Sequence, residues 1–468
     1  MSEHFDAAII GAGPAGMACA SLLAAHGVRT LLLDEQPGPG GQIYRNIEDS
    51  TPAKLRTLGQ DYAHGLLLST ALRGSTVEYR PDSAVWNITP TKDIYFSRAG
   101  TSHHTRADAL LLATGAMERA MPLPGWTLPG VMTAGAVQIL LKTAGIVSLG
   151  VILIGTGPLL YQLAWQYASA GAPHLVLLDT SRRADRMASV AKLPAALRGL
   201  GWQYLLKGFL LFERLARAGV PIYRDVHDIH IEGTEKLEAV RFRHGKQSIR
   251  LPAHTIGLHA GIIPATHIPN ALGCDLEWHE AQHCFRPRLD AWGNTSQDGI
   301  LVAGDGGGII GARASAHAGR IAALGIAHRL GRIDLATRDH LALPERKSLR
   351  AHLAVRAFLD RRYPPAAEAL APEDATIVCR CEEITAGQIR AAARAGAQGP
   401  NQAKAFLRAG MGPCQGRVCG ASVAEIMAHA QQRPMAEAAT YRARPPFKPV
   451  TVGELAALED TPPPEISR

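Results

Sequence analysis

The first 35 residues contain the pattern that most restricts the possible folds of this chain. An apolar strand, FDAAII, ends at Ile10 and is followed by the glycine-rich turn Gly11-Ala12-Gly13-Pro14-Ala15-Gly16, which opens a helical stretch. In such a turn Gly11 permits the tight bend, Gly13 lets the backbone approach a pyrophosphate, and Gly16 lets the helix pack closely on the strand. A second apolar strand closes on Asp34 and Glu35, where a carboxylate can accept hydrogen bonds from a ribose hydroxyl. This order of elements predicts an α/β dinucleotide-binding domain.

Three later segments indicate the type of dinucleotide. Gly40-Gly41-Gln42 follows the acid by a few residues, Ala113-Thr114-Gly115 ends the buried strand ALLLATG, and Gly304-Asp305 ends the strand ILVAGD. In this order the segments resemble the two-dinucleotide flavoproteins typified by glutathione reductase and thioredoxin reductase. The resemblance implies FAD as cofactor, with the Thr-Gly turn next to the flavin nucleotide and Asp305 bonded to the ribityl chain. The expected fold class is α/β, a glutathione-reductase-like fold with two dinucleotide-binding domains.

The segment LGVILIGTGPLL repeats the strand–glycine–helix pattern in an altered form. Gly155 and Gly157 are present, Leu160 occupies the third glycine position, and the following strand ends at Asp179. In the resembling family this insert binds NADH or NADPH, and a bulky third residue crowds the contact between helix and strand. The pair Arg182-Arg183 can hold a 2′-phosphate, although arginines at a loop start are more often solvated. The sequence therefore favours a retained fold that docks a partner or another nucleotide over a functional nicotinamide site.

Four cysteines near the C-terminus form the strongest single motif. Cys379 and Cys381 are separated by one residue, and Cys414 and Cys419 follow after 32 intervening residues, in the glycine-rich turn GMGPCQGRVCG. Thiolates favour iron–sulfur clusters or zinc. Zinc knuckles more often place about two to four residues between paired ligands. The spacing therefore favours a [2Fe-2S] cluster, with zinc and free thiols as the alternatives.

The residues around these cysteines predict a small helical domain. Thr385 and Gln388 form a capping box for one helix, Asn401 is expected to cap a second, and Ala421 to Ala430 to form a third. This wrapper resembles the [2Fe-2S] domain of the bacterioferritin-associated-ferredoxin type. The other cysteines do not form the closely spaced redox pair of disulfide reductases, and the first is expected to be a buried thiol in the first helix. They are Cys19, Cys274 and Cys284.

Several longer stretches resemble one family, the large flavin-containing subunits of bacterial heteromeric amino-acid and opine dehydrogenases. That family includes the A subunit of opine oxidase, the B subunit of hydrogen cyanide synthase and the alpha subunit of hydroxyproline or proline dehydrogenases. The matching stretches are DEQPGPGGQIYRNIE, GAMERAMPLPGWTLPGVMTAGAVQ, GTGPLL, CRCEEIT with GMGPCQGRVCG, and the proline-rich RPPFKPVTVGELAAL. The resemblance thus covers nearly the whole chain.

The resemblance implies an electron-transfer role in a complex. A partner FAD subunit of the D-amino-acid or sarcosine oxidase type takes hydride from the C–N bond of an opine, hydroxyproline, proline or glycine. Electrons then pass through flavin, including an FMN at a subunit interface, and the cluster to a respiratory acceptor such as a quinone chain, and a small third subunit is expected. No motif identifies a catalytic base in this chain. Two other functions stay open: a self-contained NAD(P)H-dependent FAD/[2Fe-2S] reductase, and an iron-sensing or iron-handling protein with a vestigial flavin fold.

Length and composition limit the remaining possibilities. The 468 residues suit about three domains. The net charge of +8 arises from scattered basic residues without a run of like charge, so nucleic acid is not an expected partner. Neither a secretory signal nor a transmembrane segment is expected, which places the chain in the cytoplasm, with peripheral contact at the inner face of the membrane. The expected divisions are 1–115 plus 290–330 for FAD, 116–289 for the second dinucleotide fold, 331–372 for a connector, 373–435 for the cluster and 436–468 for a tail.

Overall fold

The computed structural model describes residues 3–458, and its first part is a sheet of buried parallel strands extended by an antiparallel hairpin. The strands β1 and β2 are apolar throughout most of their length because both faces of a parallel sheet are covered. The elements are β1 (Glu3–Ile10), α1 (Pro14–Ala25), β2 (Thr30–Leu33), α2 (Pro52–Leu58), α3 (Gln60–Ala63), α4 (Gly65–Arg73), β3 (Glu78–Arg80), β4 (Ala84–Ile88), β5 (Asp93–Arg98) and β6 (Thr101–Leu112). The strand order is β3-β2-β1-β6-β5-β4.

A second parallel sheet follows as an insertion. Its elements are β7 (Ala116–Glu118), β8 (Val131–Thr133), α5 (Ala134–Ala144), β9 (Val151–Gly155), α6 (Pro158–Ser169), β10 (Val176–Asp179), α7 (Arg183–Ser189), α8 (Leu193–Ala196), α9 (Gly201–Arg217), β11 (Ile222–Arg224), β12 (Val226–Glu232), β13 (Ala239–His244), β14 (Gln247–Pro252), β15 (Thr255–His259) and β16 (Ile262–Pro264). The parallel order is β11-β10-β9-β15-β8, and β12, β13 and β14 form an antiparallel meander. Strands β7 and β16 pair at the two ends of the insertion.

The chain then returns to the first sheet. Its elements are α10 (His267–Ala271), β17 (Leu276–His279), β18 (Cys284–Pro287), β19 (Ile300–Val302) and α11 (Ala312–Arg329). Strand β19 pairs in parallel with the carboxyl-terminal part of β6, which confirms the predicted α/β class. Helix α11 packs on α1 so closely that a Cβ at Gly319 would lie 2.2 Å from the carbonyl oxygen of Ala15. This return brings two distant motifs to the same edge of the sheet.

The remaining elements are mostly helical, and the last of them carry the four cysteines. They are α12 (Leu335–Leu353), α13 (Arg356–Arg362), α14 (Ala367–Leu370), β20 (Ile377–Cys379), β21 (Ile384–Thr385), α15 (Ala386–Arg394), α16 (Pro400–Leu407), α17 (Gly420–Ala430) and α18 (Val452–Ala456). The predicted capping box of Thr385 and Gln388 begins α15. The predicted cap at Asn401 is wrong, because Gly399 precedes α16 and Asn401 lies inside it. The Asn401 side chain instead bonds the backbone of the tail at Thr440 and Arg442.

The tail returns from the cysteine module to the first sheet. Phe447 is buried there, and its N–H donates to the carbonyl of Trp86 at 2.7 Å. Of the tail predicted at 436–468, residues 459–468, which include Pro462 to Pro464, lie outside the described residues. The five divisions predicted from the sequence stay a prediction. In the described part of the chain, no helix combines the length and apolar character needed to cross a bilayer.

Candidate functional site

The glycine-rich turn after β1 has the geometry of a phosphate-binding loop. A Cβ at Gly11 would lie 2.5 Å from the carbonyl oxygen of Ala113, and one at Gly16 would lie 1.9 Å from that of Gly11. Strand, turn and helix therefore approach one another at distances that only glycine permits. Helix α1 begins at Pro14 without a side-chain cap on its first N–H groups, which leaves them available to a pyrophosphate.

The carboxylate of Asp34 at the end of β2 braces this turn. It is 8% exposed and accepts hydrogen bonds from the N–H of Ala12 at 2.5 Å and of Gln36 at 2.8 Å. Burial raises the pKa of Asp34, and the two backbone donors oppose that rise. The neighbouring Glu35 is exposed and pairs with Lys448 of the tail. The assignment of Asp34 and Glu35 to a ribose stays a prediction, and the structure adds a bracing contact that the sequence did not indicate.

Gly40, Gly41 and Gln42 cover the glycine-rich turn and connect it to the inserted sheet. The N–H of Gly40 donates to the carbonyl of Ala12 at 2.8 Å, and a Cβ at Gly41 would lie 3.0 Å from Gly13 Cα. The carbonyl of Gln42 accepts a hydrogen bond from Lys142 Nζ at 3.0 Å. Lys142 is 2% exposed, and burial lowers its pKa to about 7. Sequence reasoning missed this lysine, since only the fold places α5 beside the loop.

The ATG and GD segments meet at the same edge of the first sheet. Gly115, three residues after β6, adopts a φ of +66°, and Gly304, two residues after β19, adopts a φ of +77°. A Cβ at Gly304 would lie 2.9 Å from the Cβ of Ala15. The carboxylate of Asp305 accepts hydrogen bonds from the N–H groups of residues 310 and 311 at 2.8 Å each, and burial raises its pKa. The predicted FAD residues thus converge at the carboxyl ends of four strands, where α/β proteins bind nucleotides.

The corresponding edge of the inserted sheet is arranged differently. The Asp179 carboxylate is engaged internally, because it accepts the hydroxyl of Tyr161 at 2.5 Å and the N–H and hydroxyl of Ser181 at 2.8 and 2.9 Å. Leu160, in the third glycine position, is fully buried in the core. Both features agree with the prediction that this fold departs from a standard nicotinamide site.

A buried His–Glu pair lies beside the second glycine turn. The Nδ1 atom of His259 is 2.7 Å from Glu118 Oε1, and a Cβ at Gly157 would lie 3.4 Å from His259 Nε2. The second oxygen of Glu118 accepts the N–H of Gly135 at the start of α5. Sequence reasoning missed this pair, although Glu118 lies in the stretch GAMERAMPLPGWTLPGV that carried the resemblance.

The four motif cysteines are gathered in two contacting pairs. The thiol of Cys419 donates to Cys379, which lowers the pKa of Cys379 to about 5 and raises that of Cys419. Cys381 contacts Cys414, and burial raises the pKa of Cys381. A further donor, the N–H of Gly410, lies 3.4 Å from Cys379 Sγ. Cys379 and Cys419 are buried and Cys381 is exposed, so one edge of the group faces solvent.

The donor set fits a binuclear cluster better than a single zinc ion. A [2Fe-2S] cluster takes four thiolates, and backbone N–H groups such as that of Gly410 stabilise charge on sulfur. A Cβ at Gly412 would lie 2.1 Å from Cys381 Cβ, so the loop passes close to the ligand because it is glycine. Within residues 3–458, no three His, Cys, Asp or Glu side chains converge on one ion position. Paired thiolates on a glycine-rich loop therefore suit the cluster.

The cysteine module is attached to the inserted domain through a tryptophan. Trp126 is 6% exposed, and its Nε1 donates to the carbonyl of Ile377 at 2.6 Å, two residues before Cys379. The guanidinium of Arg380, between the first two cysteines, lies 5.2 Å from the Trp126 ring centre. Trp126 belongs to the GWTLPGV segment, which is part of the family resemblance. This segment therefore contacts the loop that carries Cys379 and Cys381.

Comparison with known families agrees with both halves of this site. Residues 5–319 match the pyridine nucleotide-disulphide oxidoreductase model, and residues 377–429 match the BFD-like [2Fe-2S] binding domain. The chain belongs to the pyridine nucleotide-disulphide oxidoreductase family and, by its similarity along the full length, to the family of the opine oxidase A subunit. These two family matches confirm the predicted cofactors FAD and [2Fe-2S].

Individual relatives extend the match over the whole chain. The opine oxidase A subunit of Rhizobium meliloti strain 1021 is 45% identical over 97% of this chain and 99% of its own length. Hydrogen cyanide synthase subunit HcnB of Pseudomonas aeruginosa is 33% identical over 88% of this chain and 90% of its own. The crystal structure of L-proline dehydrogenase from P. horikoshii superposes with a TM-score of 0.68 at 18% identity, covering 97% of this chain and 80% of that one, which supports the fold. The resemblance predicted from the sequence is confirmed.

Proposed function

We propose that this chain is the FAD- and [2Fe-2S]-containing electron-transfer subunit of a heteromeric dehydrogenase or oxidase. The complex oxidises the C–N bond of an amino acid or opine, with octopine, nopaline, hydroxyproline, proline and glycine as the candidate substrates. The observation that carries this proposal is the combination, in one chain similar end to end to the opine oxidase A subunit, of a flavin-type nucleotide edge with a four-cysteine module.

The residues of this chain bind and insulate the two cofactors. The uncapped start of α1 is the proposed pyrophosphate site, and Asp305 the proposed ribityl contact. The other proposed FAD contacts are Gly11, Gly13, Pro14, Ala15, Gly16, Asp34, Glu35, Gly41, Gln42, Ala113, Thr114, Gly115 and Gly304. The proposed cluster ligands are Cys379, Cys381, Cys414 and Cys419. Flavin can accept two electrons as hydride and release them one at a time, and a [2Fe-2S] cluster takes one electron at a time, so the two cofactors together would convert hydride chemistry into one-electron transfer.

The substrate is oxidised in a second chain. The relatives are themselves named as subunits. The partner that we propose is a D-amino-acid-oxidase-like FAD subunit, with an FMN at the interface and a small third subunit. The acceptor is a quinone-linked chain reached from the cytoplasmic side. Electrons therefore enter this chain from protein rather than from a nicotinamide, in keeping with the internally bonded Asp179 and the buried Leu160.

An anaerobic titration tests this proposal. The purified chain is mixed with NADH, then NADPH, then dithionite, while flavin absorbance and the cluster's EPR signal are followed. We expect reduction only by dithionite, and fast reduction once an opine or proline is added together with the partner subunit. Rapid reduction by a nicotinamide would make the chain a reductase in its own right. A purified protein without flavin absorbance would favour an iron-handling role instead.

A further inference from the structure

A tyrosine of the tail lies against the loop that carries the last two cysteines. Tyr441 is 9% exposed, and its ring contacts the loop at positions where the loop is glycine. A Cβ at Gly416 would lie 2.6 Å from this ring, and a Cβ at Gly410 would lie 2.8 Å from it. A Cβ at Gly420 would lie 3.1 Å away. Three glycines of the GMGPCQGRVCG motif therefore leave room for the tyrosine ring.

Two asparagines hold the tail in this position. The Asn270 side chain, on α10, donates to Thr440 Oγ1 at 3.0 Å and accepts the N–H of Ala443 at 2.9 Å. The Asn401 side chain, on α16, donates to the carbonyl of Thr440 at 3.1 Å and accepts the N–H of Arg442 at 2.9 Å. The backbone on both sides of the tyrosine is thus bonded to two separate elements of the fold. These four hydrogen bonds fix the place of the ring against the loop.

The hydroxyl of Tyr441 reaches a peptide group that also contacts a cysteine. It donates to the carbonyl of Ala409 at 2.8 Å. The N–H of the same peptide group belongs to Gly410 and lies 3.4 Å from Cys379 Sγ. A hydrogen bond accepted by a carbonyl polarises its peptide group, so the N–H becomes a stronger donor. Donors to sulfur are one of the factors that set the reduction potential of an iron–sulfur cluster, and they favour the reduced form because it carries one more negative charge.

We propose that Tyr441 is a positioning residue that raises the reduction potential of the cluster by orienting and polarising the peptide group between Ala409 and Gly410. The inference rests on the proposed ligation of a [2Fe-2S] cluster by Cys379 and the three other motif cysteines. The step that it affects is the uptake of one electron, which adds one negative charge near Cys379 and breaks no bond. A role in packing needs only the ring, whereas this role needs the hydroxyl.

A potentiometric titration of the purified, cofactor-loaded chain, followed by the cluster's EPR signal, tests this role. Tyr441→Phe keeps the ring and removes the hydroxyl. We expect about twofold to tenfold weaker electron affinity, a shift of about 20 to 60 mV to more negative potential, because tenfold corresponds to about 59 mV for one electron. Tyr167→Phe is the matched control, because Tyr167 is fully buried in α6 and its hydroxyl also donates to a backbone carbonyl, that of Val137 at 3.1 Å. It is expected to keep the wild-type potential.

Three results would overturn the inference. They are an equal potential in wild type and Tyr441→Phe, an equal shift in Tyr167→Phe, and loss of iron from Tyr441→Phe, which would assign the hydroxyl to holding the loop. Wild type that purifies without iron would contradict the proposed function, and this inference with it. A wild-type cluster whose potential does not respond to the loss of the hydroxyl contradicts this inference alone, so the two failures are distinguishable.

Discussion

Replacing Trp126 by Phe is expected to loosen the cysteine ligand loop without disturbing the domain beneath it. The substitution keeps an aromatic ring under Arg380 but removes the indole N–H that reaches the Ile377 carbonyl at 2.6 Å. Loss of a buried hydrogen-bond partner costs about 1–3 kcal/mol. Local opening of the loop is therefore expected to become about 5-fold to about 150-fold more frequent, since about 1.4 kcal/mol corresponds to tenfold.

Native-state hydrogen exchange, read by mass spectrometry on the peptide around residues 376–386, measures this opening. The cluster's EPR signal provides a second readout, because a loosened ligand loop broadens the range of cluster geometries. Trp292→Phe is the matched control: Arg338 and Arg346 stack on that ring at 4.0 and 4.2 Å, away from the cysteines. Unchanged exchange in Trp126→Phe, or an equal increase in Trp292→Phe, would refute the proposed role of the Ile377 contact.

Three further substitutions test other parts of the site. Lys142→Met is expected to remove a pH dependence of stability. The buried lysine has a pKa near 7 instead of 10.5, so between these pH values the unfolded chain binds more protons than the folded chain. The free energy of unfolding of wild type therefore rises with pH by at most about 1.4 kcal/mol per pH unit, and urea unfolding near neutral and alkaline pH is expected to show no such slope for the variant. Gly16→Ala is expected to abolish FAD retention, because its Cβ would lie 1.9 Å from a backbone oxygen of the same turn. The control Gly38→Ala, whose Cβ would meet no atom within 4 Å, is expected to retain FAD. Flavin absorbance per chain measures both. Cys419→Ser is expected to lose the cluster's iron and EPR signal, whereas Cys19→Ser, at a buried thiol in α1, keeps both; equal iron content in the two variants would contradict the ligand assignment.

The features that sequence predicted well are those set by neighbouring residues. The first glycine turn is one of them, because a Cβ at Gly16 would meet the carbonyl oxygen of Gly11 five residues earlier, and the capping box at Thr385 and Gln388 lies within a four-residue segment. Asn401 does not cap α16, because Gly399 and Pro400 already occupy the cap and first positions of that helix. Asn401 lies two residues after the cap position, and its side chain bonds the tail instead.

Contacts between distant segments were not predictable in the same way. The Trp126 indole meets a carbonyl 251 residues later in the chain, and Lys142 meets one 100 residues earlier. The residues around Trp126 and Lys142 in the sequence do not indicate which carbonyl each side chain bonds. The hydrogen bond that Asp179 accepts from Tyr161 likewise joins the end of β10 to α6. From the sequence alone, only Leu160 indicated that the second nucleotide site is altered.

The contacts of the cysteine module give a physical reason for keeping the second dinucleotide fold. Besides the Trp126 contact, the N–H of Asp228 on β12 donates to Glu368 of α14 at 2.8 Å, and His230 lies 3.5 Å from Glu373. These contacts place the inserted domain directly under the segment that leads into the first two cysteines. A chain that lost this domain would also lose the surface on which the ligand loop rests, whether or not a nucleotide binds the altered glycine turn.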